Sequence, residues 1–300
     1  MKRSGIRQVA PAPAAAGPPP PGPALAGPAA VATETVAAEP EWAQFDRAFS
    51  RRFAERAIDA LLVVRGTRVL EVACGTGVFA RLAARVVGPG GRVVALEGVD
   101  AGLDTAQRLE PSTTVEWRAW EGGALPFEDG AFDVVTCQHS LPRLADPLAV
   151  VGEMRRVLAP GGRLGITTWG PIEENPAFAV QLDAAIKAGA GGAGVVDALL
   201  EACSMHRVDD LLRLVQAAGI SDVSCRTVRM LAGLPPVGQW VRTCPSLPPL
   251  SGVWADWDEE TRRSFLGRVT ELLRPFEHDG VLRVQASCRM VVARSPGRPG

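Results

Sequence analysis

The sequence predicts an α/β fold in which a mostly parallel sheet carries helices on both faces. From residue 68 to residue 169, apolar segments of strand length alternate with segments of helical spacing, and this alternation is typical of parallel sheets. Two connections, Pro89-Gly90-Gly91 and Pro160-Gly161-Gly162, share one composition. Each is predicted to end a helix and to begin a strand. The two connections should therefore lie on the side of the sheet opposite the active site.

The elements follow one another in a regular order. The predicted strands of the first half are Arg68–Val72, Arg92–Leu96, Thr114–Arg118, Phe132–Cys137 and Arg163–Trp169, and the predicted helices between them are Val78–Val87, Ala101–Leu109 and Pro147–Leu158. The second half is predicted to hold a helix at Val208–Ala218, a strand near Val223–Met230, a helix that carries Phe265 and Phe276, and a last strand at Leu282–Ala293 after the Asp279-Gly280 turn.

Composition restricts the class of partner. The 300 residues have a net charge of −1 and 47% hydrophobic content, without the basic cluster that nucleic acid or an anionic membrane requires. Six irregularly spaced cysteines, without metal-ligand spacing, predict reduced thiols in a cytoplasmic protein and no metal site. We expect no secretion signal and no membrane-spanning segment. The balance of charge favours a neutral or weakly charged substrate.

A glycine-rich loop follows the first predicted strand. Residues 75–80, Gly-Thr-Gly-Val-Phe-Ala, fit the G-x-G-x-x-G/A pattern, in which glycines let the backbone approach a ligand. Glu97 ends the next strand about twenty residues later, where an acid can accept hydrogen bonds from ribose hydroxyls. Both features are shared by dinucleotide-binding and adenosylmethionine-binding sheets, so they do not distinguish the two ligands.

Glu71 lies inside an apolar strand, and burying a carboxylate is costly unless a cation or several donors contact it. The α-amino group of adenosylmethionine could be that cation, whereas the pyrophosphate of a dinucleotide would be repelled. The alternative is that Glu71 reaches solvent or pairs with an arginine such as Arg68 or Arg92. Glu71 therefore favours adenosylmethionine as the ligand.

Three segments carry a family resemblance: residues 69–77 (Val-Leu-Glu-Val-Ala-Cys-Gly-Thr-Gly), residues 125–135 (Leu-Pro-Phe-Glu-Asp-Gly-Ala-Phe-Asp-Val-Val) and residues 154–164 (Met-Arg-Arg-Val-Leu-Ala-Pro-Gly-Gly-Arg-Leu). Together they resemble the class I S-adenosylmethionine-dependent methyltransferases of the ubiquinone/menaquinone-biosynthesis type (methyltransferase type 11), strongly over roughly residues 41–170. The resemblance implies a Rossmann-like seven-stranded sheet with an antiparallel last strand, an inserted helical substrate cap and S-adenosyl-L-methionine as the cofactor.

The predicted organisation follows from this resemblance and from composition. It comprises a disordered Ala/Pro-rich tail at 1–39, N-terminal cap helices at 40–66, a cofactor-binding core at 67–170, a substrate-cap insertion at 171–207, a completion of the sheet at 208–294 with a cap segment at 231–257, and a tail at 295–300. Trp240, Trp254 and Trp257 in the cap segment either line an apolar acceptor site or form the core of the cap.

The candidate cofactor residues gather where strands end, because ligands of open α/β sheets bind outside the carboxyl ends of the strands. They are Glu71, Ala73, Cys74, Gly75, Gly77, Glu97, Gly98, Glu121, Gly122 and Gln138. The resemblance implies that Glu121 receives the adenine amino group, while Trp120 replaces the glycine usual in the family. Trp120 could stack near the adenine, or Trp117 and Trp120 could be ordinary packing residues.

The candidate catalytic residues are His139, after the fourth strand, and Glu173, after the fifth. Histidine titrates near neutrality and could act as a base, or His139 could be a hydrogen-bonded loop residue beside the cofactor. Glu173 and its neighbour Glu174 could act as a base, hold a cation or be exposed. The predicted function is methyl transfer to O or C of a hydrophobic small molecule in secondary-metabolite or quinone-like biosynthesis, and a homodimer is compatible with it. The alternatives are a non-methylating cyclase, an NAD-dependent oxidoreductase or a silent cofactor sensor.

Overall fold

A computed structural model of the protein describes residues 49–98, 103–104, 106–107, 114–190, 194–246 and 250–297. The predicted tail at 1–39, the first part of the predicted cap helices at 40–66, the end of the predicted tail at 295–300 and most of the predicted helix Ala101–Leu109 lie outside the described residues.

Eight strands and eight α-helices are formed by the described residues. The strands are β1 Arg68–Val72, β2 Arg92–Glu97, β3 Val115–Ala119, β4 Phe132–Gln138, β5 Leu158–Trp169, β6 Asp222–Leu234, β7 Glu277–His278 and β8 Val281–Arg294. The helices are α1 Arg51–Ala60, α2 Val78–Val87, α3 Pro147–Val157, α4 Pro176–Lys187, α5 Val195–Ala202, α6 Val208–Ala217, α7 Val237–Thr243 and α8 Glu259–Leu273.

All strands belong to one sheet with the order β3-β2-β1-β4-β5-β8-β6, and the two-residue β7 pairs with β8. Strands β1 to β5 run parallel to one another, whereas β8 runs antiparallel to both β5 and β6. This confirms the predicted mostly parallel seven-stranded sheet with an antiparallel last strand. Because β1 to β5 are parallel, their carboxyl ends meet at one edge, which is the edge where ligands bind in such sheets.

The two Pro-Gly-Gly connections differ in their position relative to the strands. Pro89-Gly90-Gly91 separates α2 from β2 as predicted, but Pro160-Gly161-Gly162 lies inside β5, because α3 ends at Val157 and the strand begins at once. The pairing moves from Phe132 opposite Leu158 to Val134 opposite Arg163, so extra residues bulge out of the strand. Gly161 has φ +78°, a conformation that glycine adopts without steric cost.

Helices cover both faces of the sheet. On one face α1 and α2 bury Ile58 and Phe79 against β1 and β2, and on the other α3 and α6 bury Met154 and Leu211. Asp146 caps α3 by accepting a 2.9 Å hydrogen bond from the Ala149 N–H, and Pro147 occupies the first turn. None of the described helices has the length and apolar character needed to traverse a bilayer.

The segments predicted to form a substrate cap pack together around a third apolar cluster. Helices α4, α5, α7 and α8 contribute to it, and Trp240 and Phe265 at its centre are fully buried. Trp257 is 6% exposed and Trp254 packs at the margin. Of the two alternatives for these tryptophans, the structure supports the cap core. Trp240 and Trp257 therefore pack inside the cap and do not support an aromatic-lined acceptor site in this segment.

Candidate active site

The loop after β1 contains several residues in the left-handed region of backbone space. Ala73 has φ +53°, Gly75 +55° and Gly77 +73°, and Gly77 is the residue that precedes α2. The Cys74 N–H donates to the Leu96 carbonyl oxygen at 2.8 Å, which fastens the loop to the end of β2. An alanine in this conformation costs about 1–2 kcal/mol, so the surrounding contacts must hold Ala73 in place.

The two glycines of the loop serve different purposes. A Cβ atom at Gly77 would lie 2.2 Å from Cη2 of Trp117, because the indole of this β3 residue rests on the loop. A Cβ atom at Gly75 would meet nothing within 4 Å. Gly77 is therefore required by packing inside the protein, whereas Gly75 presents a backbone that a ligand can approach.

Glu71 is 1% exposed, and its Oε2 accepts a 2.9 Å hydrogen bond from the Ala80 N–H in the first turn of α2. A helix N-terminus stabilises a carboxylate through its free N–H groups and the helix dipole. The two arginines suggested as alternative partners are engaged elsewhere, Arg68 with Asp133 at 2.6 Å and Arg92 with Glu116 at 2.8 Å. Arg68 and Arg92 therefore pair with other carboxylates, and Glu71 has one donor from the backbone of α2.

Glu97 connects the end of β2 to the glycine loop. One carboxylate oxygen accepts from the Gly75 N–H, and the other accepts from the Gly98 N–H at 3.1 Å. Two of the predicted cofactor residues, Gly75 and Gly98, are thus gathered around a third. The arrangement fixes a carboxylate at the end of β2, beside the glycine loop.

Residues after β3 lie beside this acid. The Trp120 N–H donates to the Glu97 carbonyl oxygen at 2.8 Å, and the Trp120 side chain is 7% exposed in the core below the edge. Its Nε1 is buried and has no hydrogen-bond partner among the residues that the structure describes. Glu121 is exposed and Gly122 follows with φ +96°. The structure therefore supports the packing alternative for both Trp120 and Trp117, and leaves Glu121 accessible at the edge.

The carboxyl ends of β1 and β4 are joined by a side chain. Ser140 is 8% exposed, and its hydroxyl donates to the Ala73 carbonyl oxygen at 2.8 Å. Gln138, at the end of β4, accepts a 2.9 Å hydrogen bond from the Thr167 hydroxyl and donates to Thr136. Its amide is thus held by threonines of β4 and β5. The amide keeps one N–H and one carbonyl lone pair for the cofactor role predicted for Gln138.

His139 sits in an aromatic set at the same edge. Its ring stacks on Trp169 with the centroids 4.1 Å apart and an interplanar angle of 23°, and it meets Phe53 of α1 edge-on at 5.6 Å. Phe178 of α4 meets Trp169 edge-on, with the ring centroids 5.0 Å apart. Both imidazole nitrogens are buried and have no hydrogen-bond partner in the described part of the chain. The alternative of a hydrogen-bonded loop histidine therefore finds no support.

The environment of His139 determines its protonation. Burial disfavours the charged imidazolium and the nearby Arg143 disfavours it further, so the pKa of His139 falls to about 3. The ring is therefore neutral around pH 7. The backbone is also unusual, with φ +57°. A strained, neutral imidazole with unpartnered nitrogens in an apolar setting is typical of a functional site.

The two glutamates after β5 behave differently. Glu173 is exposed on the short helix Ile172–Glu174. Glu174 accepts a 2.6 Å hydrogen bond from the Ser287 hydroxyl, and it pairs with the guanidinium groups of Arg289 at 3.5 Å and Arg229 at 3.2 Å. These bonds hold the pKa of Glu174 below its usual range. Glu174 therefore holds two arginines of the protein, and Glu173 is the accessible carboxylate.

The thiols are buried rather than reactive. All six cysteines are free and five are buried. Burial raises the pKa of the Cys74 thiol, and the nearby carboxylates of Glu71 and Glu97 raise it further. Within the described ranges no group of three His, Cys, Asp or Glu side chains could hold a metal ion. Cys74 therefore contributes to the loop as a neutral, packed side chain.

Three residues of this edge were not singled out from the sequence as site residues: Phe53, Ser140 and Phe178. In the sequence, Phe53 and Phe178 have the spacing of ordinary helix residues. Only the packing of α1 and α4 over the ends of β4 and β5 places Phe53 against His139 and Phe178 against Trp169. Ser140 could have been suspected from its place next to His139. Its bond to a residue 67 positions earlier has no sequence signal.

The site fits S-adenosylmethionine. Gly75 leaves its backbone open to a ligand, Glu97 holds a carboxylate at the end of β2, and Glu121 is accessible beside the buried Trp120. The Glu71 carboxylate adds negative charge beneath the loop, which suits a cationic ligand better than a pyrophosphate. The carboxylates of Glu71, Glu97 and Glu121 at this edge thus suit a nucleoside with a positively charged tail.

Comparison with known proteins agrees with this geometry. Residues 70–166 match the family described as "Methyltransferase domain". A demethylmenaquinone methyltransferase of Thermus thermophilus is 39% identical over 122 residues, covering 40% of this chain and 55% of that protein. A 2-phytyl-1,4-naphtoquinone methyltransferase of Thermosynechococcus vestitus is 38% identical over 113 residues, covering 37% and 50%. The chain spans about half the length of the curated relatives it matches.

Solved structures show the same fold. A candidate methyltransferase from an antibiotic biosynthesis pathway of Anabaena variabilis superposes with a TM-score of 0.53 at 16% identity, covering 81% of this chain and 96% of that chain. The [4+2]-cyclase SpnF superposes with a TM-score of 0.50 at 19% identity, covering 83% and 82%. The fold, the glycine loop and the family match lead to one conclusion: residues 70–166 of this chain form a Rossmann-like, S-adenosylmethionine-dependent methyltransferase domain.

Proposed function

We propose that the whole chain transfers the methyl group of S-adenosylmethionine to an oxygen or carbon atom of a hydrophobic small molecule. The observation that carries this proposal is the aromatic set around His139, at the sheet edge that also carries the glycine loop. Apolar walls with few polar groups are typical of small-molecule sites. An acceptor with one hydroxyl or carbonyl on an apolar ring would give the buried imidazole nitrogens the partner that they lack.

The protein itself needs to supply little covalent chemistry in this reaction. The bound cofactor supplies an activated methyl group, so the side chains must mainly align the acceptor and exclude water. Because its pKa of about 3 keeps His139 neutral, the imidazole can accept a hydrogen bond from an acceptor hydroxyl and orient it. A general base works best with a pKa near the operating pH, so we assign His139 to orientation. Glu173 is the accessible carboxylate that would receive a released proton.

In this proposal the cofactor is bound by the residues that the sequence predicts as its contacts. Glu97 would bind the ribose hydroxyls, Glu121 the adenine amino group, and the loop from Ala73 to Gly77 the methionine part. The residues that would complete the binding site are Glu71, Gly98, Gly122 and Gln138.

The acceptor class rests on the relatives and on the apolar edge. The relatives named above methylate demethylmenaquinone and a phytyl naphthoquinone by their names, so we propose a quinone-like or similar secondary-metabolite acceptor. The named curated relatives are methyltransferases, which favours methyl transfer over both the cyclase and the NAD-dependent alternative. A cytoplasmic location and a homodimer belong to the same proposal, and the six free thiols fit a reducing compartment.

The test is incubation with methyl-labelled S-adenosylmethionine and a set of phenols, reduced naphthoquinones and prenylated hydroquinones. We expect one labelled product and an equal amount of S-adenosylhomocysteine. His139→Phe should raise KM for the acceptor and spare cofactor affinity, His139→Asn should keep part of the activity, and His278→Phe, at an exposed histidine, is the matched control. Product without S-adenosylhomocysteine would indicate the cyclase alternative, and stabilisation by NAD alone would refute the proposal.

A further inference from the structure

A cleft rich in arginine lies beside α1, the helix whose Phe53 contacts His139. Its cavity of about 630 Å³ is lined by Arg52 and Arg56 of α1 and by Arg226 and Arg229 of β6, with Glu55 as the one acidic side chain. Four guanidinium groups therefore meet one carboxylate in a chain whose net charge is −1. Such a local excess of positive charge attracts anions.

Most of these guanidinium groups have no carboxylate partner. Arg52 donates to the Leu231 carbonyl oxygen at 3.3 Å and Arg226 contacts the Met290 sulfur at 3.5 Å. No ion pair is formed by Arg52, Arg56 or Arg226 with the described residues. Glu55 is already paired with Arg51 at 2.9 Å, outside the cleft lining. Three positive charges thus face the cleft without neutralisation from the described part of the chain.

Arginine on an edge strand has a simpler explanation, since charged side chains on an edge discourage pairing with another sheet. That explanation applies to Arg226 and Arg229, because β6 is the last strand of the sheet. It does not apply to Arg52 and Arg56, which are one helical turn apart on α1 and line the same cleft. Two elements from distant parts of the sequence supply guanidinium groups to one concave surface, which is the arrangement of a binding site.

We propose that this cleft binds a small molecule through a phosphate or diphosphate group. Planar guanidinium groups match phosphate oxygens with paired hydrogen bonds, and several of them can share one multiply charged anion. Thr227 adds a hydroxyl, and the side chains of Val228 and Met230 give the lining an apolar part. The cleft is concave, and Arg229 in its lining is already paired with Glu174, so Arg52, Arg56 and Arg226 are the guanidinium groups offered to a compact anion.

Two sources could supply the phosphate group: the methyl acceptor itself or a separate ligand. Phe53, next to Arg52 in α1, contacts His139 and Trp169. An acceptor that extends past α1 could therefore place a charged end in the cleft, and a separate anion bound there would contact the helix that covers the acceptor edge. Both sources use the same recognition chemistry.

The test uses inorganic diphosphate as the probe and the full chain as the protein. Isothermal titration and thermal unfolding are measured with diphosphate and with sodium chloride at equal ionic strength. We expect saturable binding of diphosphate that becomes about tenfold weaker or more in R56Q/R226Q, because each lost guanidinium removes charge-assisted hydrogen bonds. The matched control R213Q/R263Q removes two exposed arginines elsewhere and should bind like the wild type.

Two further measurements distinguish the two sources of the phosphate group and test the explanations that compete with a phosphate site. If diphosphate inhibits methyl transfer competitively with the acceptor, the phosphate group belongs to the acceptor. If diphosphate binds without competing with the acceptor, the cleft binds a separate ligand. Equal diphosphate binding by R56Q/R226Q and the control would overturn the proposal. So would an effect of diphosphate that sodium chloride reproduces, or binding to vesicles with anionic lipid without binding to diphosphate. The titration and unfolding measurements record binding of diphosphate and do not depend on methyl transfer, whereas the competition measurement does.

Discussion

The Ser140 hydroxyl donates a 2.8 Å hydrogen bond to the carbonyl oxygen of Ala73. The bond joins the carboxyl ends of two neighbouring parallel strands, and the residue before Ser140, His139, has a left-handed backbone like Ala73. One side chain thus links the cofactor loop to the loop that carries the candidate acceptor residue. Strained conformations persist where such contacts hold them.

Ser140→Ala should loosen both loops. The buried hydroxyl is lost and the Ala73 carbonyl oxygen loses a donor, which should lower the free energy of unfolding by about 1–3 kcal/mol and weaken cofactor binding. Urea unfolding and titration with S-adenosylmethionine measure the two effects. Ser204→Ala, at an exposed serine after α5, is the matched control. If the two variants behave alike, the Ser140 bond does not stabilise the site.

Gly77→Ala should be much more damaging than Gly75→Ala. Both positions have positive φ, so both variants carry about 1–2 kcal/mol of backbone strain. Only the Gly77 variant also places a methyl group 2.2 Å from Trp117, which should add about 1–3 kcal/mol of overpacking. Chemical denaturation compares the two free energies of unfolding.

The double variant Gly77→Ala/Trp117→Val tests the cause of the difference. Removing the indole should relieve the clash and leave the backbone strain, so the double variant should be more stable than Gly77→Ala with Trp117 in place. Equal stability of Gly77→Ala and Gly75→Ala would contradict the steric explanation.

Glu97→Ala should weaken the binding of S-adenosylmethionine by about tenfold or more while the chain stays folded, because hydrogen bonds to a charged acceptor contribute roughly 1.5–3 kcal/mol. Calorimetric titration gives the affinity, and circular dichroism checks the fold. Glu201→Ala, at an exposed glutamate of α5, serves as the control. Unchanged affinity would show that the ribose assignment is wrong.

His139 should make stability depend on pH above the range where carboxylates titrate. Its pKa is about 3 in the folded protein, against 6.5 for an ordinary histidine. The unfolded chain therefore binds a proton that the folded chain excludes, so stability is full above pH 6.5 and falls as the pH drops toward 3. The expected loss between pH 7 and pH 5 is up to about 2 kcal/mol.

His139→Phe should remove this dependence, because the ring can still stack on Trp169 but cannot titrate. Unfolding by urea at pH 7, 6 and 5 gives the comparison. His278→Phe, at an exposed histidine of β7, should keep the wild-type profile. Parallel profiles for the wild type and His139→Phe would mean that the imidazole is not buried in the neutral form.

Much of the site could be predicted because its signals are local. Alternating apolar segments indicate parallel strands, and the ends of parallel strands meet at one edge, so the residue order suffices to place Glu97, Gly75 and His139 there. The partner of Glu71 could not be predicted in this way. A buried carboxylate needs donors, but the sequence does not show that the Ala80 N–H is one of them.

The fold class, the glycine loop and the edge at which the functional residues lie follow from residue order, because strand periodicity and strand direction depend on neighbouring residues. Three relationships appear only in the folded chain: Trp240 and Trp257 form the cap core, Phe53 and Trp169 contact His139, and Arg52 and Arg226 line one cleft. The physical reason is that burial and contact between residues far apart in the chain depend on how helices pack over the sheet, and composition and spacing do not specify that packing.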